Sequence, residues 1–177
     1  MHRTRLLILG FALLIASCSR SPPPAPAARA PDVRAEARAA AIRADASRLP
    51  SVAGHRDGPA GDAAWRAYFD GTELALLEES IADPPRPPLE YRYYFEKGAL
   101  FFVEGQQAAE RGSGAEGVAP RVPLVAEFRG AQATRAVRIE HYGPVPLAPD
   151  RVQAIQRRAA ELASAARDER SAAKVAP

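Results

Sequence analysis

The chain is poor in the residues that crosslink a secreted domain or bind metals. It has 177 residues and one cysteine, Cys18, which therefore has no disulfide partner within the chain. Of its three histidines, His55 lies in a Gly- and Pro-rich segment and His141 lies at the end of a predicted strand. Two isolated histidines without a nearby cysteine or spaced carboxylate make a poor metal site. We therefore expect no disulfide, no metal and no cofactor.

Sequence motifs of phosphate-binding and serine-dependent enzymes are also absent. The chain has no glycine-rich phosphate loop followed by Lys-Ser or Lys-Thr, and no Gly-x-Ser-x-Gly elbow. Carboxylates do cluster near predicted hairpin ends, where two of them could act as acid and base across a cleft. These are Glu78, Glu79, Asp83, Glu90 and Glu104. We favour the simpler explanation that they are solvated charges, because altered pKa values require burial.

A concentrated basic face is lacking as well. Residues 1–17 hold two of the 24 basic residues and none of the 21 acidic ones, so the remaining chain has a net charge of +1. A nucleic-acid partner would require clustered positive charge, and we therefore expect none. The length of the remaining chain predicts one folded domain.

The apolar run at residues 6–17 is too short to span a bilayer. It has twelve residues, whereas a spanning helix needs about twenty. It follows a basic start that contains Arg3 and Arg5, and this layout is typical of a cleavable secretory signal. We therefore interpret residues 1–17 as a signal peptide.

The end of this run, Ile15-Ala16-Ser17-Cys18, resembles the lipobox of bacterial lipoproteins. The resemblance implies that the signal is cut before Cys18, that the Cys18 thiol carries a diacylglycerol group, and that the new amino terminus is acylated. Membrane lipid is then a partner through covalent acylation, and two or three acyl chains anchor a protein firmly. The alternative is an ordinary signal peptide that is cut further along the chain.

Two features after Cys18 bear on location. In Gram-negative lipoproteins an aspartate after the lipidated cysteine tends to retain the protein in the inner membrane. Ser19 stands there instead, so the resemblance implies the outer membrane, with the domain facing the periplasm. Residues 18–31 are rich in proline and predict an extended tether of roughly 40 Å, at about 3.1 Å per residue.

Residues 32–62 predict a helix followed by a loop. Residues 32–48 are rich in Ala and Arg, with only Val33 and Ile42 as large apolar side chains, which is typical of a loosely held helix. Residues 50–62 carry three glycines and two prolines and predict a loop. Two further predicted loops lie at 83–88 and 112–120.

Three later segments share one pattern of strand, glycine turn and strand, and predict three β-hairpins. They are residues 65–81, 90–105 and 122–142, with turns at Asp70-Gly71, Lys97-Gly98 and Gly130-Ala131. Direct pairing across these turns opposes Phe69 to Thr72, Phe95 to Leu100 and Phe128 to Ala133. In the middle hairpin it also opposes Tyr94 to Phe101, so that both faces carry aromatic side chains. This pattern indicates a central strand pair that is covered on its second side.

The C-terminal segment predicts a helix that starts at Pro149 and Asp150. Its apolar stripe consists of Val152, Ile155, Ala159, Leu162 and Ala166. The predicted fold class is α+β, with an antiparallel meander of about six strands and this helix packed on one face. A small sheet closed on itself is the alternative. The domain should span residues 63–168, followed by a disordered tail at 169–177.

The candidate functional feature is a surface on the second face of the sheet. Its residues are Tyr91, Arg92, Tyr94, Phe101 and Val103. An exposed apolar patch marks a partner site, and Tyr and Arg are typical anchors of such sites. The alternative, which we favour, is that the helix at 32–48 covers this patch.

The sequence thus predicts an envelope lipoprotein with a non-catalytic binding or structural module. Its partner would be an envelope protein, a peptide or a cell-wall component. A carboxylate-dependent hydrolase acting in the cell envelope is the alternative.

Overall fold

The computed structural model describes four stretches of the chain. They are residues 30–57, 62–84, 86–108 and 121–175. The predicted signal, most of the predicted tether and the predicted loop at 112–120 lie outside these stretches, as does Cys18.

Within these stretches the chain forms two α-helices, a short 3-10 turn and a set of strands. In chain order they are α1 (Val33–Asp45), the 3-10 turn (Ala46–Arg48), β1 (Ser51–Arg56), β2 (Ala63–Asp70), β3 (Glu73–Asp83), β4 (Arg86–Glu96), β5 (Ala99–Ala108), β6 (Arg121–Arg129), β7 (Gln132–Glu140), β8 (Gly143–Pro146) and α2 (Pro149–Val175). Helix α1 and the 3-10 turn confirm the helix predicted at 32–48.

The strands form one antiparallel sheet in which each strand pairs with its neighbours in the chain. The order is β1 to β8, so the two outermost strands each pair on one side within the described part of the chain. The antiparallel meander is confirmed, but it has eight strands, because β1 and β8 extend it at both edges. Strand β8 contains Pro144 and Pro146, which an edge strand tolerates because its outer N–H groups need no partner.

Strand β1 corrects the prediction of a loop at 50–62. Gly54 pairs with Trp65 on β2. A Cβ atom on Gly54 would lie 2.2 Å from a ring carbon of Trp65, so this glycine makes room for the buried indole ring. The loop prediction was wrong for β1 because a glycine that accommodates a neighbouring ring looks, in sequence, like a glycine that makes a turn.

The three predicted hairpins are present. Each contains a β-bulge directly after the second residue pair from its turn. The register shifts at Tyr68/Phe69, at Tyr94/Phe95 and at Glu127/Phe128. The predicted pairs of Phe95 with Leu100 and of Phe128 with Ala133 are confirmed. Phe69 instead pairs with Leu74, because the first turn lies one residue later than predicted. Beyond each bulge the direct pairing is also wrong, since the extra residue moves the register by one.

Helix α2 packs on one face of the sheet. Its predicted stripe is confirmed, because all five of its residues are buried in one core cluster with the apolar side chains of β2 to β7. The helix continues to Val175, so the prediction of a disordered tail from residue 169 is wrong up to that point. Arg170 explains part of this extension. Its guanidinium lies 4.2 Å from the ring centroid of Phe69 and donates to the carbonyl oxygen of Gly71.

Helix α1 covers the opposite face of the sheet. Asp32 caps its start by accepting hydrogen bonds from the backbone N–H groups of Arg34 and Ala35. Small side chains of α1 and the 3-10 turn then pack on the aromatic face. The cluster consists of Ala39, Ala46, Leu76, Tyr94, Phe101 and Phe102, with Ala35, Ile42, Tyr68 and Val125 packed against it. The domain therefore has three layers, α1, the sheet and α2.

Candidate functional site

The five residues predicted to form an exposed patch are divided between the two faces of the sheet. Tyr91 and Val103 lie in the core cluster under α2, whereas Tyr94 and Phe101 lie under α1. Tyr94 is 0% exposed and Phe101 is 9% exposed, so Arg92 is the one member with substantial solvent contact. The expectation of one shared exposed surface is therefore wrong, and the covering helix of the alternative is present.

The bulge in the middle hairpin explains this division. Tyr94 pairs with Phe102, so the bulged residue Phe101 and its neighbour both lie on the α1 face. Val103 pairs with Tyr93 and is thereby placed on the α2 face. Simple alternation of side chains puts Phe101 and Val103 on the same face, but a bulge breaks that alternation between them.

The carboxylates considered as an acid–base pair are held by cations or hydroxyl groups. Their hydrogen-bond partners are Arg92 and Tyr68 for Glu78, Arg158 and Tyr93 for Glu79, Arg121 for Asp83, Ser80 for Glu90, and Arg43, Arg92 and Tyr94 for Glu104. Glu79 faces α2, whereas the network of Glu78 and Glu104 faces α1. These contacts give each carboxylate a structural role. They do not bring two of these five carboxylates together in one cleft.

Glu104 connects helix α1 to the sheet. Its Oε1 accepts from the Tyr94 hydroxyl at 2.6 Å and from Arg43 of α1 at 2.8 Å. Arg38, also on α1, forms an ion pair with Glu96 at 2.5 Å, and its guanidinium lies 5.2 Å from the centroid of the Phe101 ring. These contacts fix α1 over the aromatic face, although half-exposed ion pairs contribute little individually.

The start of α1 is held by a buried ion pair. The backbone N–H of Asp32 donates to both carboxylate oxygens of Glu127, at 3.3 and 3.2 Å. Arg135 donates to Glu127 at 2.8 Å, and both of these side chains are more than nine-tenths buried. The β-bulge of the third hairpin pairs Arg135 with Glu127, and the Arg135 side chain also reaches Glu36 of α1.

A pocket lies between the first turns of α2 and strands β3 and β4, and we name it the α2 pocket. Its volume is about 270 Å³. At its base the Glu79 side chain is 0% exposed, and it accepts from the Tyr93 hydroxyl and from Arg158 Nε, both at 2.8 Å. Near its rim, Arg151 donates to the Tyr91 hydroxyl at 3.0 Å. The pocket therefore combines a neutralised buried carboxylate with two phenols and further arginines.

Glycine and aromatic packing set the position of the Tyr91 ring. Tyr91 pairs with Gly105 on β5, and a Cβ atom there would lie 2.4 Å from a ring carbon of Tyr91. Tyr91 and Tyr93 are two residues apart and stack with ring centroids 6.1 Å apart. Sequence reasoning identified Tyr91 and Glu79 separately and missed the pocket, because the arginines come from α2, about 60 residues later in the chain.

A second group of polar side chains lies at the end of β1. His55, Asp57 and Asp62 hold potential ligand atoms within 4.8 Å of one another, and all three residues are exposed. The His55 Nε2 atom lies 3.0 Å from a carboxylate oxygen of Asp57. The contact between His55 and Asp57 explains why these two side chains are close, and exposed acidic groups such as Asp62 are common without a metal ion.

Burial affects the ionisation of the buried tyrosines. It raises the pKa of Tyr91, and burial together with the Glu79 carboxylate raises the pKa of Tyr93 well above its usual value. Burial and the hydrogen bond to Glu104 also raise the pKa of Tyr94. Tyrosines of an unfolded chain ionise at about pH 10. Just above this pH, the phenols of the folded state therefore stay neutral, whereas the same phenols of the unfolded state lose their protons.

We therefore expect the free energy of unfolding to fall as the pH rises above about 10. The stabilisation from groups with a raised pKa is fully present below the unfolded pKa and is lost above it. Urea unfolding at a series of alkaline pH values should show this loss, and Tyr93→Phe should make it less steep. Tyr142→Phe, at a residue that is 98% exposed, should leave the slope unchanged. A stability that stays constant up to about pH 11 would contradict this expectation.

Within the described stretches, no helix has both the length and the apolar character needed to cross a membrane. No protein-family model matches the chain, and neither the curated proteins nor the solved structures contain a match to it.

Proposed function

We propose that the chain is an envelope lipoprotein, anchored in a membrane by lipid on Cys18, whose folded domain is a non-catalytic binding or structural module. The observation that carries the proposal is the sequence Ile15-Ala16-Ser17-Cys18 at the end of a twelve-residue apolar run. Ser19 in place of aspartate favours the outer membrane, with the domain in the periplasm.

The folded domain supports a non-catalytic role in two ways. The carboxylates that a hydrolase would use are held in ion pairs and hydrogen bonds that stabilise the layers. Both faces of the sheet are also covered by helices, which favours a rigid module carried on a tether. An envelope protein, a peptide or a cell-wall component remains the proposed partner.

Replacement of the cysteine tests the anchor. Cys18→Ala should abolish labelling by radioactive palmitate and leave an unprocessed or soluble protein, because the acyl chains then have no attachment point. The measurement is membrane fractionation together with lipid labelling in a Gram-negative host. Ser21→Ala, three residues further along the tether, is the matched control and should behave as the unmodified chain. Normal labelling and unchanged fractionation of Cys18→Ala would rule out the proposed anchor.

A further inference from the structure

We propose that the α2 pocket binds a small molecule or chain end that presents a single carboxylate on a short apolar body. The inference deepens the proposed binding role of the domain and rests on it. It is carried by the arrangement of charges and hydrogen-bond donors in the pocket, together with its size and apolar lining.

The charges of the pocket leave an excess of positive charge at its rim. Three arginines and two glutamates line it. Glu79 is neutralised by Arg158, and Glu161 forms an ion pair with Arg56 at 2.8 Å. Arg151 contacts a neutral phenol, and Arg157 has no ion-pair partner among the described residues. The two exposed arginines at the rim therefore carry charge that an anion would neutralise.

Hydrogen-bond donors are also in excess. The Tyr91 oxygen accepts from Arg151 at 3.0 Å, and within the described part of the chain no acceptor takes the Tyr91 hydroxyl proton. A carboxylate placed beside Tyr91 and Arg151 would accept from both groups. The planar guanidinium matches the two oxygens of a carboxylate, which favours this anion. Inorganic phosphate is less suitable, because it has no apolar body to contact Ile81, Ala154 and Ile155, which also line the pocket.

The remaining lining is apolar and limits the size of the ligand. Ile81, Ala154 and Ile155 line the pocket between the charged groups. Its volume of about 270 Å³ lies slightly below the range of about 300–1,000 Å³ that is typical of ligand sites. A ligand body of a few carbon atoms fits this space, whereas a long acyl chain does not.

The test uses the full chain as the host cell produces it, purified in detergent, with hexanoate, 1-hexanol, hexylamine and inorganic phosphate as probes in ligand-observed NMR titrations. Hexanoate should bind at least about tenfold more tightly than hexanol, because it adds charge-assisted hydrogen bonds to the same apolar contacts. Hexylamine and phosphate should bind more weakly than hexanoate. Equal binding of hexanoate and hexanol, or tighter binding of phosphate, would overturn the proposal.

Variants distinguish hexanoate binding in the α2 pocket from uptake of hexanoate into the detergent micelle. Arg151→Gln and Tyr91→Phe should each weaken hexanoate binding, the former by about tenfold. Arg167→Gln makes the same change of charge on the same helix outside the pocket, and it should alter binding less than twofold, or roughly 0.4 kcal/mol. Identical titrations for all three variants would place the binding elsewhere. Circular dichroism should show an unchanged fold for each variant.

The outcome is independent of the anchor. Hexanoate binding reports on the pocket whether or not Cys18 carries lipid, and palmitate labelling reports on Cys18 whether or not the pocket binds. Loss of either result therefore identifies which of the two proposals has failed.

Discussion

Tyr94→Ala is expected to destabilise the domain by about 3–5 kcal/mol, which is the usual cost of truncating a large buried aromatic side chain. Tyr94 is fully buried, and its ring packs edge-on against Phe102, with centroids 5.8 Å apart, beneath α1. The substitution also removes the hydroxyl that donates to Glu104. Because small domains have only about 5–15 kcal/mol of stability, this loss should be evident in urea unfolding followed by the fluorescence of Trp65.

Tyr94→Phe is the matched control for this substitution. It keeps the ring and removes only the hydrogen bond to Glu104, so we expect a loss of about 1 kcal/mol. If Tyr94→Ala instead kept the stability of the unmodified chain and lost a binding partner, Tyr94 would belong to an exposed interface. The covering role of α1 would then be incorrect.

Arg158→Met is expected to destabilise the domain by about 3–5 kcal/mol, because it leaves a buried carboxylate without its cation. The Glu79 side chain is 0% exposed, and Arg158 contacts its Oε1 through two guanidinium nitrogens. The Tyr93 hydroxyl would remain as a single neutral donor to Glu79. Urea unfolding at neutral pH measures the change.

Two controls distinguish the effect of an unpaired buried charge on stability from the effect of altered packing of α2. Arg157→Met, at the exposed neighbouring position, should change stability by less than about 0.5 kcal/mol. The double variant Glu79→Leu with Arg158→Met should recover much of the lost stability, because no charge is then buried. Equal effects of Arg157→Met and Arg158→Met would show that the Glu79 ion pair does not hold α2 to the sheet.

Local sequence patterns predicted most of the helices and strands, because these structures form between residues that are close together in the chain. The apolar stripe from Val152 to Ala166 required only a helical period, and the three hairpins required only glycine turns between alternating segments. The bulges were not predictable in this way. A bulge such as the one at Tyr94/Phe95 adds one residue to one strand without a turn residue to mark it, and it changes which face Phe101 and Val103 occupy.

The candidate site depends on tertiary contacts that could not be predicted from the sequence. The five residues proposed as a patch were identified from the alternation of side chains, and the helix at 32–48 was favoured as their cover without a prediction of which side chains would make the contact. Ala39 of α1 and Ala46 of the 3-10 turn cover the aromatic side chains, because small side chains let this segment approach the sheet closely. The α2 pocket combines Tyr91 with Arg151, and that contact is set by tertiary packing.

Intact-mass spectrometry of the chain extracted from bacterial membranes tests the central claim most directly. We predict a protein that begins at Cys18, with a mass increased by a diacylglycerol group and an amino-terminal acyl chain. A membrane-free protein that begins after Cys18, or one that retains Cys18 as an unmodified thiol, would contradict the account.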